Sequence, residues 1–395
     1  MVLENFFLEN IFFFSFVFLL IVFLIIKREN LDIQGSFPFL YILMYKTKLG
    51  LNYMKNFYKF HPILLKYFIY FSRFVGVFGS VFVFGFMFWQ LSYIVKNNLS
   101  SAGGFVLPLK TDSSLVFYVP FFYWIISLFV LALVHEVAHG IVAERFKINI
   151  KSSGFAFLGV LVPFLPAAFV EPDENKLKKA KVKNQIAILG AGPASNLVFG
   201  LIFLLLFLPV ANFTSNITKI DKFGFSSIMN ESELKNYNLS SKYYEILAVN
   251  NITNKSEFMD FLSNISFNDT IILKLKYNES NKTLVNTFKV KPFNNSGKPM
   301  IGISGIFVEE KLNFNRFYLG DILLILQKLL LYLWLLNISI GLINLLPIWI
   351  TDGGQIFRVL LYKKYKENGL KIFNIISLIS LILLFLSLFP NLLFF

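Results

Sequence analysis

The stretch from Leu115 to Val142 reads LVFYVPFFYWIISLFVLALVHEVAHGIV. This apolar run is longer than the roughly 20 residues that a helix needs to cross a bilayer core, so it predicts a transmembrane helix. Three ionisable side chains, His135, Glu136 and His139, lie near its end. A charge at membrane depth costs about 2.5–3.5 kcal/mol, so such groups usually face a polar cavity and have a function. The stretch therefore predicts a membrane fold and a functional site together.

The whole chain has the composition of a membrane protein. Of its 395 residues, 56% are hydrophobic and 15% are charged, whereas about 25% of the residues in a soluble domain are charged. An ordinary soluble domain and a disordered chain are therefore excluded. We predict a polytopic α-helical membrane protein with about six transmembrane helices. The six apolar runs are Phe6–Ile26, Phe74–Val95, Leu115–Val142, Ile186–Val210, Ile322–Leu346 and Ile372–Phe389.

Lysine and arginine residues are distributed unequally among the loops between these runs. The loops after the first, third and fifth runs are rich in them, whereas the loop from Lys96 to Ser114 has only Lys96 and Lys110. By the positive-inside rule the three basic loops are predicted to be cytoplasmic, with both termini outside. The net charge of +14 is spread between apolar runs. We therefore expect the lipid bilayer as a partner, and no nucleic acid.

The alternation of loops divides the chain into five segments. The first run is preceded by Glu4 and lacks a small-residue cleavage site, which favours a retained helix over a signal peptide. The long polar segment 211–317 is predicted to be a separate extracytoplasmic domain. The five segments are a first transmembrane helix with a basic cytoplasmic segment (1–73), a membrane core with the His135 helix (74–210), the extracytoplasmic domain (211–317), a core helix with an Asp-Gly loop (318–360), and a cytoplasmic turn with the last transmembrane helix (361–395).

The spacing of His135 and His139 is that of a zinc site. Two His at i and i+4 lie on one helix face, so both imidazoles can bind one Zn²⁺ while Glu136 points at a water. Zinc lowers the pKa of such a water towards about 7, and the carboxylate accepts its proton as the water attacks a peptide carbonyl. The competing interpretation is a chance motif on a core helix. The membrane context and the placement of two of the three His in one pentapeptide argue against it.

A catalytic zinc ion needs a third protein ligand. The chain has no Cys, and His61 lies in a predicted loop beside Pro62, so a carboxylate is expected. Asp352 is the best candidate, because Pro347 breaks the preceding helix and the glycines after Asp352 let the backbone turn beside a buried site. A helix-terminating turn with a capping Asp352 is the alternative for this segment.

Four motifs in the chain occur together in a known family. They are His135-Glu136-x-x-His139, Asn344-x-x-Pro347-x-x-x-x-Asp352-Gly353, Gly190-Ala-Gly192-Pro193-Ala-Ser-Asn196 and Phe169-Val170-Glu171. With these motifs the sequence resembles the site-2 protease family of intramembrane zinc metalloproteases, over about residues 115–200 and 320–360. Thr351 departs from the pattern, since many family members have Leu before the Asp-Gly pair.

The resemblance implies a role for each matching residue. His135, His139 and Asp352 would bind one zinc ion, and Glu136 would be the general base. Asn196 matches an Asn thought to orient substrate or stabilise the oxyanion, and an interhelical hydrogen bond is the other interpretation. Gly192, Ser195 and Asn344 are expected to serve packing and loop support. The segment Gly154–Val170 is too short and broken to span, and it predicts a strand pair beside the site.

Segment 211–317 has short strand-like runs around one helical stretch at Ser256–Leu262. Their order resembles a PDZ domain, which binds extended peptides at a sheet edge. The fold class expected is therefore a polytopic α-helical membrane protein with an inserted extracytoplasmic α+β PDZ-like domain. Tyr244-Glu245 stands where a Gly-Asp pair usually precedes the corresponding strand. A plain β-rich spacer is the alternative.

Together these features predict a zinc-dependent intramembrane endopeptidase, with one Zn²⁺ per chain. It would cleave transmembrane segments of other membrane proteins in regulated intramembrane proteolysis, at a site towards the cytoplasmic side of the cell membrane. Two alternatives remain from other classes. One is a metal or ion transporter whose path is lined by the same ionisable groups, and the other is an inactive membrane scaffold.

Overall fold

The computed structural model describes residues 8–36, 39–96, 104–111, 115–229, 231–237, 239, 241, 243–279, 282–295, 298–304, 306–312 and 318–389. The chain divides into two compact units. The first, called the membrane unit, comprises Met1–Leu208 and Lys328–Phe395. The second, called the inserted unit, comprises Pro209–Gln327.

Five helices in the described part of the chain are long and apolar enough to cross a membrane. The sequence predicted about six. The five are Pro62–Lys96 (α3), Phe121–Arg145 (α4), Val182–Ser215, Gly320–Ile343 and Glu367–Leu388 (α11). The third covers Val182–Leu189 (α6) and most of Ala191–Ile217 (α7), and the fourth lies within Tyr318–Ile343 (α9).

The first apolar run forms a helix that is shorter than the other five. Helix α1 covers Ile11–Ile26, whereas Phe6, where the predicted span began, lies outside the described residues. At 1.5 Å per residue its 16 residues extend about 24 Å, less than the roughly 30 Å of a hydrocarbon core. A sixth span therefore stays a prediction.

The segment before the second predicted span is structured, which the sequence did not indicate. Helix α2 covers Leu51–Phe60, and α3 begins at Pro62, twelve residues before the predicted start of the span at Phe74. Pro62 is favourable at a first helical position, where its missing N–H is not needed. Exposed His61 separates the two helices. Helix α3 contains one wider π-helical turn at Val75–Gly79.

Helix α4 begins at Phe121, six residues after the predicted start of its span at Leu115. Pro120 occupies its N-cap position, and Val116–Tyr118 (β4) pairs in parallel with Phe105–Leu107 (β3). The backbone restriction that Pro120 places on the residue before it explains why the helix does not extend further back. Apolar composition alone could not show this boundary.

A four-stranded antiparallel sheet flanks α4. The predicted strand pair is confirmed as Ile150–Val160 (β5) and Val162–Pro172 (β6). Two strands that the sequence did not predict, Leu31–Ser36 (β1) and Leu40–Thr47 (β2), extend it in the order β1-β2-β5-β6. Lys46 links the strands, with Nζ 3.0 Å from Asp32 and 3.6 Å from Glu171. Because β6 is the last strand in this order, it is an edge strand of the sheet.

In the second half of the membrane unit, a helix begins at the Asp352-Gly353 pair. Helix α9 ends at Ile343, three residues before the predicted end of its span at Leu346. The helix Asp352–Tyr365 (α10) follows, and it packs against α6 and α11. A short helix, Glu174–Lys179 (α5), joins β6 to α6. Buried apolar side chains around Leu345, Leu346 and Ile348 pack against α3 and α7.

Besides parts of α7 and α9, the described residues of the inserted unit form a five-stranded β-sheet, one α-helix and the 3₁₀ helix Glu233–Tyr237. Strands Thr218–Phe225 (β7), Tyr244–Val249 (β9), Ile271–Glu279 (β10), Lys282–Val290 (β11) and Phe307–Leu312 (β15) form a sheet in the order β11-β10-β9-β7-β15. The predicted helix is present as Lys255–Ser263 (α8). A PDZ domain stays a prediction. Short strands complete the unit: Ser227–Ile228 (β8), Phe293–Asn295 (β12), Lys298–Met300 (β13) and Ile303–Ser304 (β14).

Candidate metal centre

Three potential ligand atoms converge within the membrane unit. The Nε2 atom of His135 lies 3.1 Å from Nε2 of His139 and 3.2 Å from Oδ2 of Asp352. The distance from His139 Nε2 to the same carboxylate oxygen is 3.4 Å. Ligands bound about 2.0–2.1 Å from a tetrahedral zinc ion lie about 3.3–3.4 Å from each other. The three atoms therefore lie close to the separations that a tetrahedral zinc ion would set.

Helix α4 presents the two imidazoles from one face. Their ring centroids are 4.8 Å apart, and both side chains are largely buried. The second nitrogen of each ring also has a neighbour: Nδ1 of His139 lies 2.6 Å from the Ile188 carbonyl oxygen, and Nδ1 of His135 lies 3.1 Å from the Asn196 amide nitrogen. A proton on Nδ1 of His139, donated to Ile188, leaves Nε2 with a free lone pair for a metal.

A turn after α9 carries Asp352 to these imidazoles. Pro347 is incompatible with further helix, and the N–H of Gly353 donates to the Asn344 carbonyl at 2.8 Å. The hydroxyl of Thr351 accepts the N–H of Gly354 at 3.2 Å, so Thr351 is the N-cap of α10. Asp352 is the first helical residue. Its carboxylate is therefore free to face the two imidazoles.

Gly192 lies directly against the ligand atoms. A Cβ at this position would overlap Nε2 of both His135 and His139. The sequence predicted a packing role for Gly192, and the groups that it packs against are these two imidazoles. The neighbouring Ser195 contacts α4 as well as its own helix, since its hydroxyl lies 3.0 Å from the Val134 carbonyl and 2.7 Å from the Gly192 carbonyl.

Glu136 is held by the edge strand of the sheet. Its Oε2 accepts the N–H of Val170 in β6 at 2.9 Å. The adjacent Glu171 accepts the Ser152 hydroxyl at 2.6 Å and pairs with Lys46. The motif Phe169-Val170-Glu171 therefore connects the sheet to the carboxylate on α4. This contact occupies one of the two carboxylate oxygens of Glu136.

Two cavities meet at Glu136. The first, of about 410 Å³, is lined by Glu136 together with the three candidate ligands. The second, of about 540 Å³, is lined mainly by apolar residues of α4 and β6 and also contacts Glu136. Asn344 lines the first cavity, whereas Asn196 is not among the described residues that line either. The donor set of two imidazoles, one carboxylate and open space fits a catalytic zinc ion.

The structure brings together His135, His139 and Asp352, with Glu136 beside them. Sequence reasoning missed contacts that depend on the backbone. These are the Val170 N–H, the Ile188 carbonyl and the Thr351 cap. The available signal for Gly192 was the Gly-Pro-x-x-Asn motif itself, because Gly is the residue that allows another group to approach its backbone closely.

Comparison with known proteins places the chain among peptidases. The sequence profile described as Peptidase family M50 matches residues 123–387. The chain is also 38% identical over 117 residues to the uncharacterized protein MJ0971 of Methanocaldococcus jannaschii. That match covers 28% of this chain and 30% of the relative, so the chain spans less than a third of the length of that relative. The family match includes all the candidate ligands, and the chain belongs to peptidase family M50, the site-2 protease family.

Proposed function

We propose that this protein is a zinc-dependent intramembrane endopeptidase that cleaves transmembrane segments of other membrane proteins in regulated intramembrane proteolysis. Family membership implies an intramembrane metalloprotease. The observation that carries the proposal is the convergence of the three ligand atoms, within 4.8 Å of one another, beside Glu136 in one cavity. The five helices that are long and apolar enough to cross a membrane agree with a multi-pass membrane protein.

His135, His139 and Asp352 would hold one zinc ion, which when bound supplies a Lewis acid and acidifies a water. The Glu136 carboxylate accepts a proton from the attacking water as the new C–O bond forms. The same proton then goes to the nitrogen of the leaving amine as the C–N bond breaks. The Val170 N–H keeps one carboxylate oxygen fixed during this transfer.

A substrate helix must unwind before it can be cut. A helix hides its carbonyls in hydrogen bonds to the residue four positions on, so the peptide group is inaccessible until these bonds break. Substrates with helix-weakening Gly or Pro residues should therefore be preferred. Removal of an outer domain of the substrate by another protease would come before this step.

Proteolysis of two model substrates in detergent tests the proposal. The purified protein is given single-span substrates with and without a Gly-Pro pair in the span, before and after removal of metal by a chelator. We expect cleavage, faster for the Gly-Pro substrate, that stops on chelation and returns with added Zn²⁺. Cleavage that is unaffected by chelation would contradict the zinc mechanism.

Each of the two alternative functions predicts a different experimental result. A metal or ion transporter, which the family match does not favour, would give metal flux into proteoliposomes without proteolysis. An inactive scaffold would bind membrane proteins and leave them intact. Both outcomes would overturn the proposal, because each removes the chemistry that the cavity with Glu136 is proposed to perform.

We further propose that the metal centre faces the cytoplasmic side and that a PDZ-like inserted unit lies outside. The support is the excess of Lys and Arg in three alternate loops. Because the chain has no Cys, single Cys residues give a direct measurement. A membrane-impermeant maleimide should label Ser263→Cys in intact cells and Glu174→Cys only after permeabilisation. The reverse pattern would invert the orientation.

A further inference from the structure

A buried amide lies behind one of the candidate ligands. Asn196 in α7 is fully buried, and its Nδ2 lies 3.1 Å from Nδ1 of His135, on the side of the ring away from the ligand atom Nε2. Its Oδ1 has no hydrogen-bond partner among the described residues. No hydrogen bond among the described residues therefore holds the amide oxygen away from His135.

The chemistry of the ligand decides which end of the amide faces the ring. For Nε2 of His135 to bind zinc with its lone pair, the ring proton must lie on Nδ1, which then donates a hydrogen bond. An amide NH₂ cannot accept that bond, but an amide oxygen can. The two ends of an Asn side chain differ only by a half-turn about its last bond, and the hydrogen-bond network determines the assignment. The acceptor Oδ1 therefore belongs against Nδ1.

The other His ligand already has this arrangement. Nδ1 of His139 lies 2.6 Å from the carbonyl oxygen of Ile188, which can only accept. With Oδ1 facing His135, both imidazoles have an acceptor behind Nδ1 and a free Nε2. Helix α7 also lies against α4 next to this point, because the Ser195 hydroxyl is 3.0 Å from the Val134 carbonyl of α4.

We propose that Asn196 is a positioning residue, which accepts the Nδ1 proton of His135, fixes its tautomer and ring orientation, and does not touch the substrate. This inference rests on the proposed zinc function and differs from the substrate or oxyanion role that the family resemblance implies. The absence of Asn196 from the described lining of both cavities supports it.

Two variants of Asn196 distinguish a positioning role from a contact with the substrate. Asn196→Asp keeps the acceptor but loses the NH₂ donor, whereas Asn196→Ala loses both. Asn337→Ala is the matched control, since Asn337 is equally buried and bonds only its own helix, at the Leu333 carbonyl, in the contacts described. Zinc affinity is measured by competition with a chelating dye, and cleavage is measured at saturating zinc. Circular dichroism checks helix content.

We expect Asn196→Ala to bind zinc about 10- to 100-fold more weakly, as is typical when the partner behind a ligand His is removed. Asn196→Asp and Asn337→Ala should bind zinc as the unmodified chain does, and Asn196→Asp should cleave at saturating zinc. Unchanged zinc affinity in Asn196→Ala, or loss of cleavage with intact zinc binding in Asn196→Asp, would overturn the proposal in favour of a substrate contact. No zinc in the unmodified chain would overturn the proposed function as well.

Discussion

Replacing Glu136 by Gln should reduce cleavage of a transmembrane substrate by about 10²- to 10⁴-fold, the usual contribution of a general base. Gln has nearly the same shape, and its carbonyl oxygen can still accept the Val170 N–H that Glu136 accepts at 2.9 Å. What it lacks is the ability to take a proton. The loss should therefore appear in kcat, while the zinc content stays unchanged because Glu136 is not among the three converging ligand atoms.

Glu144 provides a matched control on the same helix. Its Oε1 accepts the N–H of Ile150 at 2.9 Å, as Glu136 accepts that of Val170. Glu144→Gln should retain cleavage, since it changes a carboxylate with a similar structural contact away from the ligand atoms. Full cleavage by Glu136→Gln would refute the mechanism, and equal losses in both variants would indicate a structural effect.

Replacing Asp352 by Ala should remove most of the bound zinc. The unmodified protein, purified in detergent, should contain about one zinc per chain. Asp352 supplies the only carboxylate of the described three-ligand group, with Oδ2 3.2 Å from His135 Nε2 and 3.4 Å from His139 Nε2. Two neutral imidazoles then remain, without the charge that attracts the cation and without a third ligand. Metal analysis of both proteins measures the result, and cleavage should be lost in parallel.

Asp321→Ala is the control for this measurement, because Asp321 is an exposed carboxylate in the first turn of α9. It should leave the zinc content at the level of the unmodified chain. An unchanged zinc content in Asp352→Ala would mean that another residue is the third ligand. No zinc in the unmodified chain would direct attention to the transporter or the scaffold.

The candidate ligands were predictable from the sequence because their spacing has few other uses. Two His at i and i+4 can be recognised as possible zinc ligands from helix geometry alone. Because the chain has no Cys, few other residue types could be the third ligand. Asp352 required a resemblance as well, since nothing local shows that it meets a helix more than 200 positions earlier. Family membership then agreed with the motifs.

Other features could not be predicted, because they depend on partners distant in sequence. Strands β1 and β2 lie in a segment that was assigned to a basic loop, and β2 meets its second partner strand, β5, only much later in the chain. The start of α4 depended on Pro120, and the early start of α3 on Pro62. For both helices the apolar composition predicted that a helix is present, but not the residue at which it begins.

The sheet β1-β2-β5-β6 bears on which part of this chain should be expressed. The family match begins at residue 123, yet residues 153–159 of β5 pair with residues 41–47 of β2. A protein trimmed to residues 123–387 would keep only the β5–β6 hairpin, which is marginal alone. The edge of β5 that pairs with β2 would then be exposed and unpaired, which favours aggregation or strand exchange between copies of the chain. Recombinant expression should therefore start no later than Leu31.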